Sequence, residues 1–323
     1  MKIAILDDWF DTLRGLPCFA KLDGHDVTVF TDHIEDPAAL AERLADTEAL
    51  VLFRERTTIT ADLLQRLPNL KLISQRSVYP HIDVPACTAN NVLLCSNMHG
   101  GTPSYAAAEL TLALMLASAR QIPAQVASTR AGNWQMGVGK TLRGRTLGLY
   151  GYGRIAKAVA GYADAIGMKI QWWSSEAGRA RATDDGVTLA ESREAFFATS
   201  DFVSVHVRLK PDTKGIITAA DLGAMQSHAC FINTSRAGLI ESGALEAALA
   251  KGHPGCAAID VFETEPLTDT SHPLLNNQNV ITTPHIGFVT EDEFDLQFSD
   301  IFDQVVAYAN GEPIHMINPE VHS

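Results

Sequence analysis

Cysteine is scarce and unpatterned: Cys18, Cys87, Cys95, Cys230 and Cys256 are scattered through 323 residues, with no CxxC pair. That excludes a disulfide framework and a zinc knuckle, both of which need closer, repeated spacing. Free thiols in a reducing cytosol are the plainer reading. Long hydrophobic runs are also missing, and nothing approaches the roughly 18 apolar residues of a membrane span. The opening run Lys2-Ile3-Ala4-Ile5-Leu6, followed by Asp7-Asp8, is too short for a signal peptide and reads as a buried first strand. A soluble, cytoplasmic protein is expected. Basic residues are outnumbered, 25 Lys and Arg against 38 Asp and Glu, for a formal net charge of -13. Such a surface repels phosphate backbones and anionic lipids, so neither nucleic acid nor membrane is an expected partner. An anionic substrate would need a local basic pocket. No internal repeat or low-complexity tract is present.

What is there has the composition of an ordinary soluble globular protein, 46% hydrophobic and 20% charged. The length exceeds what one hydrophobic core usually organises and suggests about two domains. Short apolar runs alternate with helical patterns from end to end, which indicates an α/β fold with parallel sheets. A first series places strands at Lys2–Leu6, Asp26–Phe30, Ala49–Phe53, Lys71–Ser74 and Val92–Cys95, with Thr60 as a helix N-cap. A second series begins at Arg145, with strands at Thr146–Tyr150, Lys169–Trp173, Phe202–Val207, Ala229–Asn233, Cys256–Asp260 and Asn279–Thr282. Two such series imply two doubly wound domains. Between them, Thr102 can cap a helix whose first turn accepts Pro103. Its segment Leu110–Ala117 is apolar almost all round and must be covered on more than one side, either by an interdomain core or by a second subunit. A last helical stretch, roughly Glu291 to Ala309, follows the final strand and is expected to return to the first domain.

Leu147-Gly148-Leu149-Tyr150-Gly151-Tyr152-Gly153-Arg154-Ile155-Ala156 reads as strand, glycine turn and helix start. Gly151 permits the tight turn, Gly153 lets a pyrophosphate approach the backbone, and the helix N-terminus offers free N–H groups. A lone GxGxxA is weak; the flanking strand and helix strengthen it. An acidic residue at the end of the second strand would hold ribose hydroxyls, but Trp173 is followed by Ser174-Ser175 and only then Glu176. Without that charge a 2′-phosphate is not excluded, and Arg179 and Arg181 lie close in sequence. NAD and NADP both stay open as the cofactor.

Three further segments each follow an expected strand: Asn233-Thr234-Ser235-Arg236-Ala237-Gly238, Asp260-Val261-Phe262-Glu263-Thr264-Glu265-Pro266-Leu267 and Thr283-Pro284-His285-Ile286-Gly287. With the glycine turn, Ser204-Val205-His206 and Pro211-Asp212-Thr213-Lys214-Gly215, the chain resembles the D-isomer-specific 2-hydroxyacid dehydrogenase family over nearly its whole length. That family includes phosphoglycerate dehydrogenase and the glyoxylate and hydroxypyruvate reductases. The resemblance implies a Rossmann-like NAD(P)-binding domain, residues 99–287, inserted into a flavodoxin-like substrate-binding domain made of 1–98 and 288–323. It also implies a homodimer built on the helix near 103–120. A small 2-keto or 2-hydroxy acid is the implied substrate, and no metal is expected.

Carried onto matching positions, the resemblance implies His285 as acid and base, Glu265 as its carboxylate partner and Arg236 as the binder of substrate carboxylate or carbonyl. Implied cofactor contacts are Gly151, Gly153, Arg154, Ile155, Ser174, Ser175, His206, Thr213, Thr234, Ser235, Asp260 and Gly287, with Asp260 on the nicotinamide carboxamide side. Substrate contacts fall on Arg54, Arg76, Ser77 and Val78. Here the chain departs from the family. Ser74-Gln75-Arg76-Ser77-Val78-Tyr79-Pro80-His81 has no glycine where a glycine-rich loop usually brings its amides to the substrate carboxylate. Arg54 matches a phosphate-binding arginine of phosphoglycerate dehydrogenases, yet its neighbour Glu55 would repel phosphate, so 3-phosphoglycerate is not the expected substrate. Arg208 stands where proline is common. Competing readings are oxidation of another small anion such as formate, disfavoured by Glu265 in place of Gln, and a dinucleotide-sensing corepressor on the same fold. A zinc alcohol dehydrogenase is disfavoured by the absence of ligand spacing.

Overall fold

The structure, a computed structural model, describes residues 1–98 and 104–322. The chain forms two compact units, Met1–Pro103 with Thr290–Ser323, and Ser104–Val289. In the first, strands β1 (Lys2–Ile5), β2 (Asp26–Val29), β3 (Ala49–Val51), β4 (Leu72–Arg76) and β5 (Leu93–Asn97) alternate with short helices α1 (Pro37–Arg43), α2 (Ala61–Gln65) and α3 (Val84–Ala89). The strands pair in parallel in the order β2-β1-β3-β4-β5. β3, β4 and β5 are buried almost residue for residue, as expected for parallel strands covered on both faces. Each of the three helices starts on an acid or hydroxyl whose side chain accepts an amide of the first turn: Asp36 from Ala39, Thr60 from Leu63, Asp83 from Ala86.

The second unit opens with α4 (Ala106–Arg120) and α5 (Ile122–Arg130). Tyr105 holds the N-cap position of α4; the expected cap Thr102 and first-turn Pro103 lie outside the described residues. Then follow β6 (Thr146–Tyr150), α6 (Arg154–Ala165), β7 (Lys169–Trp173), α7 (Glu176–Asp184), α8 (Arg193–Thr199), β8 (Phe202–Val205), α9 (Ala219–Ala224), β9 (Cys230–Asn233), α10 (Ala244–Ala250), β10 (Cys256–Ile259) and β11 (Val280–Thr282). All six strands are parallel, in the order β11-β10-β9-β8-β6-β7. One apolar cluster joins α4 and α6 to one face of this sheet, and another packs Phe196, Phe197, Leu222 and Leu245 on the opposite face. The chain reverses direction across the sheet between β6 and β8, the place where open α/β sheets bind ligands beyond the strand ends.

The last helix, α11 (Glu291–Ala309), belongs to the first unit. Phe294, Phe298, Ile301, Phe302 and Val305 recur at helical spacing and are buried, with Phe298 stacked on Phe53 at 4.8 Å between ring centroids. Thr290 caps it by accepting the Glu293 amide. Among the described residues no helix is long and apolar enough to cross a membrane, and all five cysteines are free. The architecture is two parallel-sheet α/β domains, with the Rossmann-like one inserted in the other.

Candidate active site

Arg236, Glu265 and His285 all follow strands of the second unit's sheet, beyond the ends of β9, β10 and β11. The Glu265 carboxylate is fixed at both oxygens: Oε1 accepts the Phe262 amide at 2.8 Å, and Oε2 lies 2.5 Å from His285 Nδ1. Burial alone would raise the Glu265 pKa. The His285 hydrogen bond, the Phe262 amide and the charges of His285 and Arg236 outweigh it, holding the carboxyl below the usual range. It is therefore ionised at neutral pH, so the His285 Nδ1–H donates to it. The other ring nitrogen, Nε2, has no hydrogen-bond partner among the described residues, and Phe288 lies edge-on to the ring at 5.3 Å. The imidazole is thus oriented by one nitrogen and open at the other.

The loop that carries His285 is fastened by Asp260, a fully buried residue at the end of β10. Its Oδ1 accepts the Thr283 hydroxyl at 2.6 Å and the Ile286 amide at 2.8 Å, and its Oδ2 accepts the Gly287 amide at 2.9 Å. Burial raises its pKa despite these three donors. His285 itself has φ +54°, a left-handed conformation that costs a non-glycine residue energy and persists only where its surroundings impose it. Arg236 is held in a similar way. Asn233, fully buried at the end of β9, donates its side-chain amide to the Arg236 carbonyl at 2.9 Å and accepts the Ser235 amide at 3.0 Å. The Arg236 guanidinium donates to the Ser235 carbonyl at 2.7 Å. Neither Asn233 nor the Phe262 amide stood among the sequence-derived candidates. A buried amide side chain at a strand end was the available signal.

The glycine turn follows β6, at the same carboxyl edge of the sheet. Gly151 has φ +115°, and a Cβ there would come within 2.4 Å of the His206 carbonyl, so the close approach of β6 to the end of β8 requires glycine. A Cβ on Gly153 would meet nothing within 4 Å, and no side chain caps α6, which starts at Arg154 and Ile155. This open cradle at first-turn amides fits a dinucleotide pyrophosphate. The Arg154 guanidinium donates to the Ser104 carbonyl. His206 Nε2 pairs with the Ser204 hydroxyl at 2.9 Å, and burial pushes its pKa down to about 4, which keeps the ring neutral. Thr234 shares a hydrogen bond of 2.8 Å with Thr111 of α4, Ser235 Oγ donates to the Val205 carbonyl, and the Thr213 hydroxyl closes the turn after β8 by donating to the Arg208 carbonyl. Ser174 and Ser175 follow β7 directly.

In the first unit, Arg54 follows β3 and Arg76 ends β4. Arg54 has φ +61° and Ser77 φ +76°. The Arg76 Nε is paired with Asp300 of α11 at 2.8 Å. The Ser77 carbonyl accepts from the Gln75 and Ser96 side chains, while the amides of Val78 and Tyr79 have no acceptor among the described residues.

Residues 112–287 match the model of the D-isomer specific 2-hydroxyacid dehydrogenase, NAD binding domain. A D-3-phosphoglycerate dehydrogenase of Methanocaldococcus jannaschii is 36% identical over 276 residues, which are 84% of this chain and 52% of that protein. The chain therefore spans about half the length of that relative. A glyoxylate reductase of Thermococcus litoralis is 33% identical over 303 residues, 89% of this chain and 90% of the relative. The crystal structure of an oxidoreductase from Ralstonia solanacearum superposes with a TM-score of 0.94 at 44% identity, covering 100% of this chain and 98% of the other. The chain belongs to the D-isomer specific 2-hydroxyacid dehydrogenase family, and its second unit contains that family's NAD-binding domain.

Proposed function

We propose that the protein is an NAD(P)-dependent dehydrogenase that interconverts a small 2-keto acid and its D-2-hydroxy acid. The observation that carries this reading is the Glu265–His285 pair with its free Nε2, in the same unit as the dinucleotide cradle and Arg236. The nicotinamide, when bound, accepts or supplies the hydride. His285 Nε2–H donates the proton that the carbonyl oxygen needs during reduction and recovers it during oxidation. Glu265, ionised and fixed at both oxygens, holds the His285 ring by Nδ1 and so leaves Nε2 for the substrate. Arg236 receives the substrate carboxylate or the polarised carbonyl oxygen through its planar fork of donors.

In the first unit the left-handed Ser77 precedes the amides of Val78 and Tyr79, which have no acceptor among the described residues and are the donors proposed to hold the substrate carboxylate. Because Arg76 is committed to Asp300, it steadies this loop more than it supplies free charge. Arg54 is the remaining basic residue proposed for substrate. Exposed Glu55 beside it disfavours a phosphorylated acid, so the preferred substrates carry one carboxylate and no phosphate. Reduced cytosol is the fitting compartment for five free thiols.

The test is absorbance of NADH or NADPH with purified protein against glyoxylate, hydroxypyruvate, pyruvate, 2-ketobutyrate and phenylpyruvate. Oxidation with any of them supports the reading. Tight nucleotide binding without turnover on any would instead favour a dinucleotide sensor.

The working unit is proposed to be a homodimer. In α4 the buried residues are Ala108, Thr111, Leu114, Met115 and Ala119, while Leu116 is exposed, as are Ile122, Val126, Trp134, Met136 and Val138 of the following segment. Trp134 and Val138 are 77% and 93% exposed in the single chain, an expensive arrangement unless another surface covers them. Sedimentation should give twice the 34.9 kDa chain mass, and Trp134→Glu should shift it toward the monomer. A monomer at micromolar concentration would remove this assignment.

A further inference from the structure

The residue after β7 is where an NAD-selective site places a carboxylate to hold both hydroxyls of the adenosine ribose. A 2′-phosphate is accommodated instead where that acid is missing and an arginine stands nearby. β7 pairs directly with β6, so its end lies beside the glycine turn. Here the position holds Ser174 and Ser175, and both hydroxyls are turned toward the first turn of α7. A Cβ on Gly178 would fall 2.2 Å from Ser174 Oγ, and Ser175 Oγ accepts the Gly178 amide at 3.3 Å. The carboxylate that would repel a phosphate is absent from the strand end.

One turn further on, Arg179 is pinned at that same end by two contacts. Its Nη1 donates to the Ser174 carbonyl at 2.7 Å, and its guanidinium carbon lies 4.5 Å from the centroid of the Trp173 ring. Among the described residues it has no carboxylate partner, whereas Arg145 and Arg193 of the same unit are paired with Asp201 and Asp221. Its charge is therefore not neutralised by a side chain of its own surroundings, although the chain carries a net charge of -13. Among the described residues one of its five N–H groups is engaged, and the planar fork matches phosphate oxygens. Glu176, the exposed first residue of α7, is the acid next in sequence and the candidate for the ribose hydroxyls.

We propose that Arg179, with Ser174 and Ser175, forms a seat for the 2′-phosphate and that the chain binds NADP(H) in preference to NAD(H). The inference rests on the dinucleotide-binding reading above but not on any keto acid. It is tested by titrating the purified protein with NADPH and NADH, following tryptophan emission, with 2′,5′-ADP and 5′-AMP as competing fragments. NADPH should bind about tenfold or more tightly than NADH, as expected for charge-assisted hydrogen bonds to one phosphate. The fragment carrying the 2′-phosphate should displace it, and 5′-AMP should not. Arg179→Ala should remove most of the preference while leaving NADH affinity within about twofold, and Arg179→Lys, which keeps the charge, should restore part of it. Higher salt should erode NADPH affinity more than NADH affinity.

Equal affinities, or tighter NADH binding, would overturn the proposal. So would an Arg179→Ala variant, folded by circular dichroism, that weakens both nucleotides alike, since that marks a structural arginine. Loss of NADH binding in Glu176→Gln would place the ribose hydroxyls on Glu176 instead. Failure of either nucleotide to bind would sink the dehydrogenase reading as well, whereas NADH-selective binding would sink this inference alone.

Discussion

Replacing His285 by alanine is expected to lower the kcat for keto-acid reduction by about a hundredfold or more, with NAD(P)H affinity nearly unchanged. The expectation follows from how the imidazole is held. Its Nδ1 is committed to Glu265 at 2.5 Å, and its Nε2 has no partner among the described residues. The loop around it does not depend on the ring, because Asp260 grips the Thr283 hydroxyl and the amides of Ile286 and Gly287. Alanine at position 285 therefore removes the proton donor while the backbone keeps its grip. Near-wild-type turnover in His285→Ala would take His285 out of the mechanism. Glu265→Gln is the companion measurement, and its sign is determined. Burial opposes ionisation of Glu265, yet its hydrogen bonds and the neighbouring positive charges hold its pKa below the usual value, so the charge facing His285 is negative throughout the neutral range. Glutamine keeps the shape and loses that charge, so kcat for reduction should fall by about tenfold or more while NAD(P)H affinity holds. An unchanged kcat would uncouple the two residues.

Much of the fold is legible because parallel strands, buried on both faces, leave short apolar runs between helical patterns. Disagreements sit at strand ends. Lys71–Ser74 reads as the fourth strand of the first series, but β4 runs on through Gln75 and Arg76. Gln75 is fully buried and donates to Ser96 at 2.9 Å, so a polar residue extends the ladder where an apolar count stops. The opposite happens in β3. Leu52 and Phe53 are apolar and buried, yet the strand ends at Val51 as the chain approaches the left-handed Arg54.

The candidate site divides along a similar line. Arg236, Glu265 and His285 are visible as residue types in ordered motifs, and the structure brings Glu265 onto His285. Their supports are less visible: Asn233 and the Phe262 amide act through partners set by turn geometry, and Asp260, read from the sequence as a cofactor contact, also fastens the His285 loop. The loop after β4 makes the point most sharply. Its lack of glycine suggests that the backbone cannot present free amides there. Ser77 nonetheless takes φ +76°, and its carbonyl is held by Ser96 from 19 residues away. The compensation is partly local, through the Gln75 side chain two residues earlier, and partly tertiary, through Ser96 of β5, which the loop's own sequence does not reveal.

Arg236→Lys should reduce kcat/KM for the keto acid by about tenfold to a hundredfold, the range expected when charge-assisted hydrogen bonds to a carboxylate are lost or misplaced. Lysine keeps the positive charge, so simple attraction of an anion survives. What disappears is the planar fork, whose orientation is fixed here at two points: Asn233 holds the Arg236 carbonyl, and the Ser235 carbonyl takes a guanidinium N–H. A flexible ammonium on the same backbone satisfies the second contact or reaches for substrate, and loses the paired geometry either way. If Arg236 chiefly anchors the ground-state carboxylate, the loss should appear as a raised KM with kcat little changed. If it chiefly stabilises charge developing on the carbonyl oxygen, kcat should fall instead. Arg236→Gln should do worse on both counts, because it also removes a charge that helps keep Glu265 ionised. Nucleotide affinity should be unaffected in either variant, and a variant that binds NAD(P)H normally yet retains full kcat/KM would show that the substrate is held by other residues.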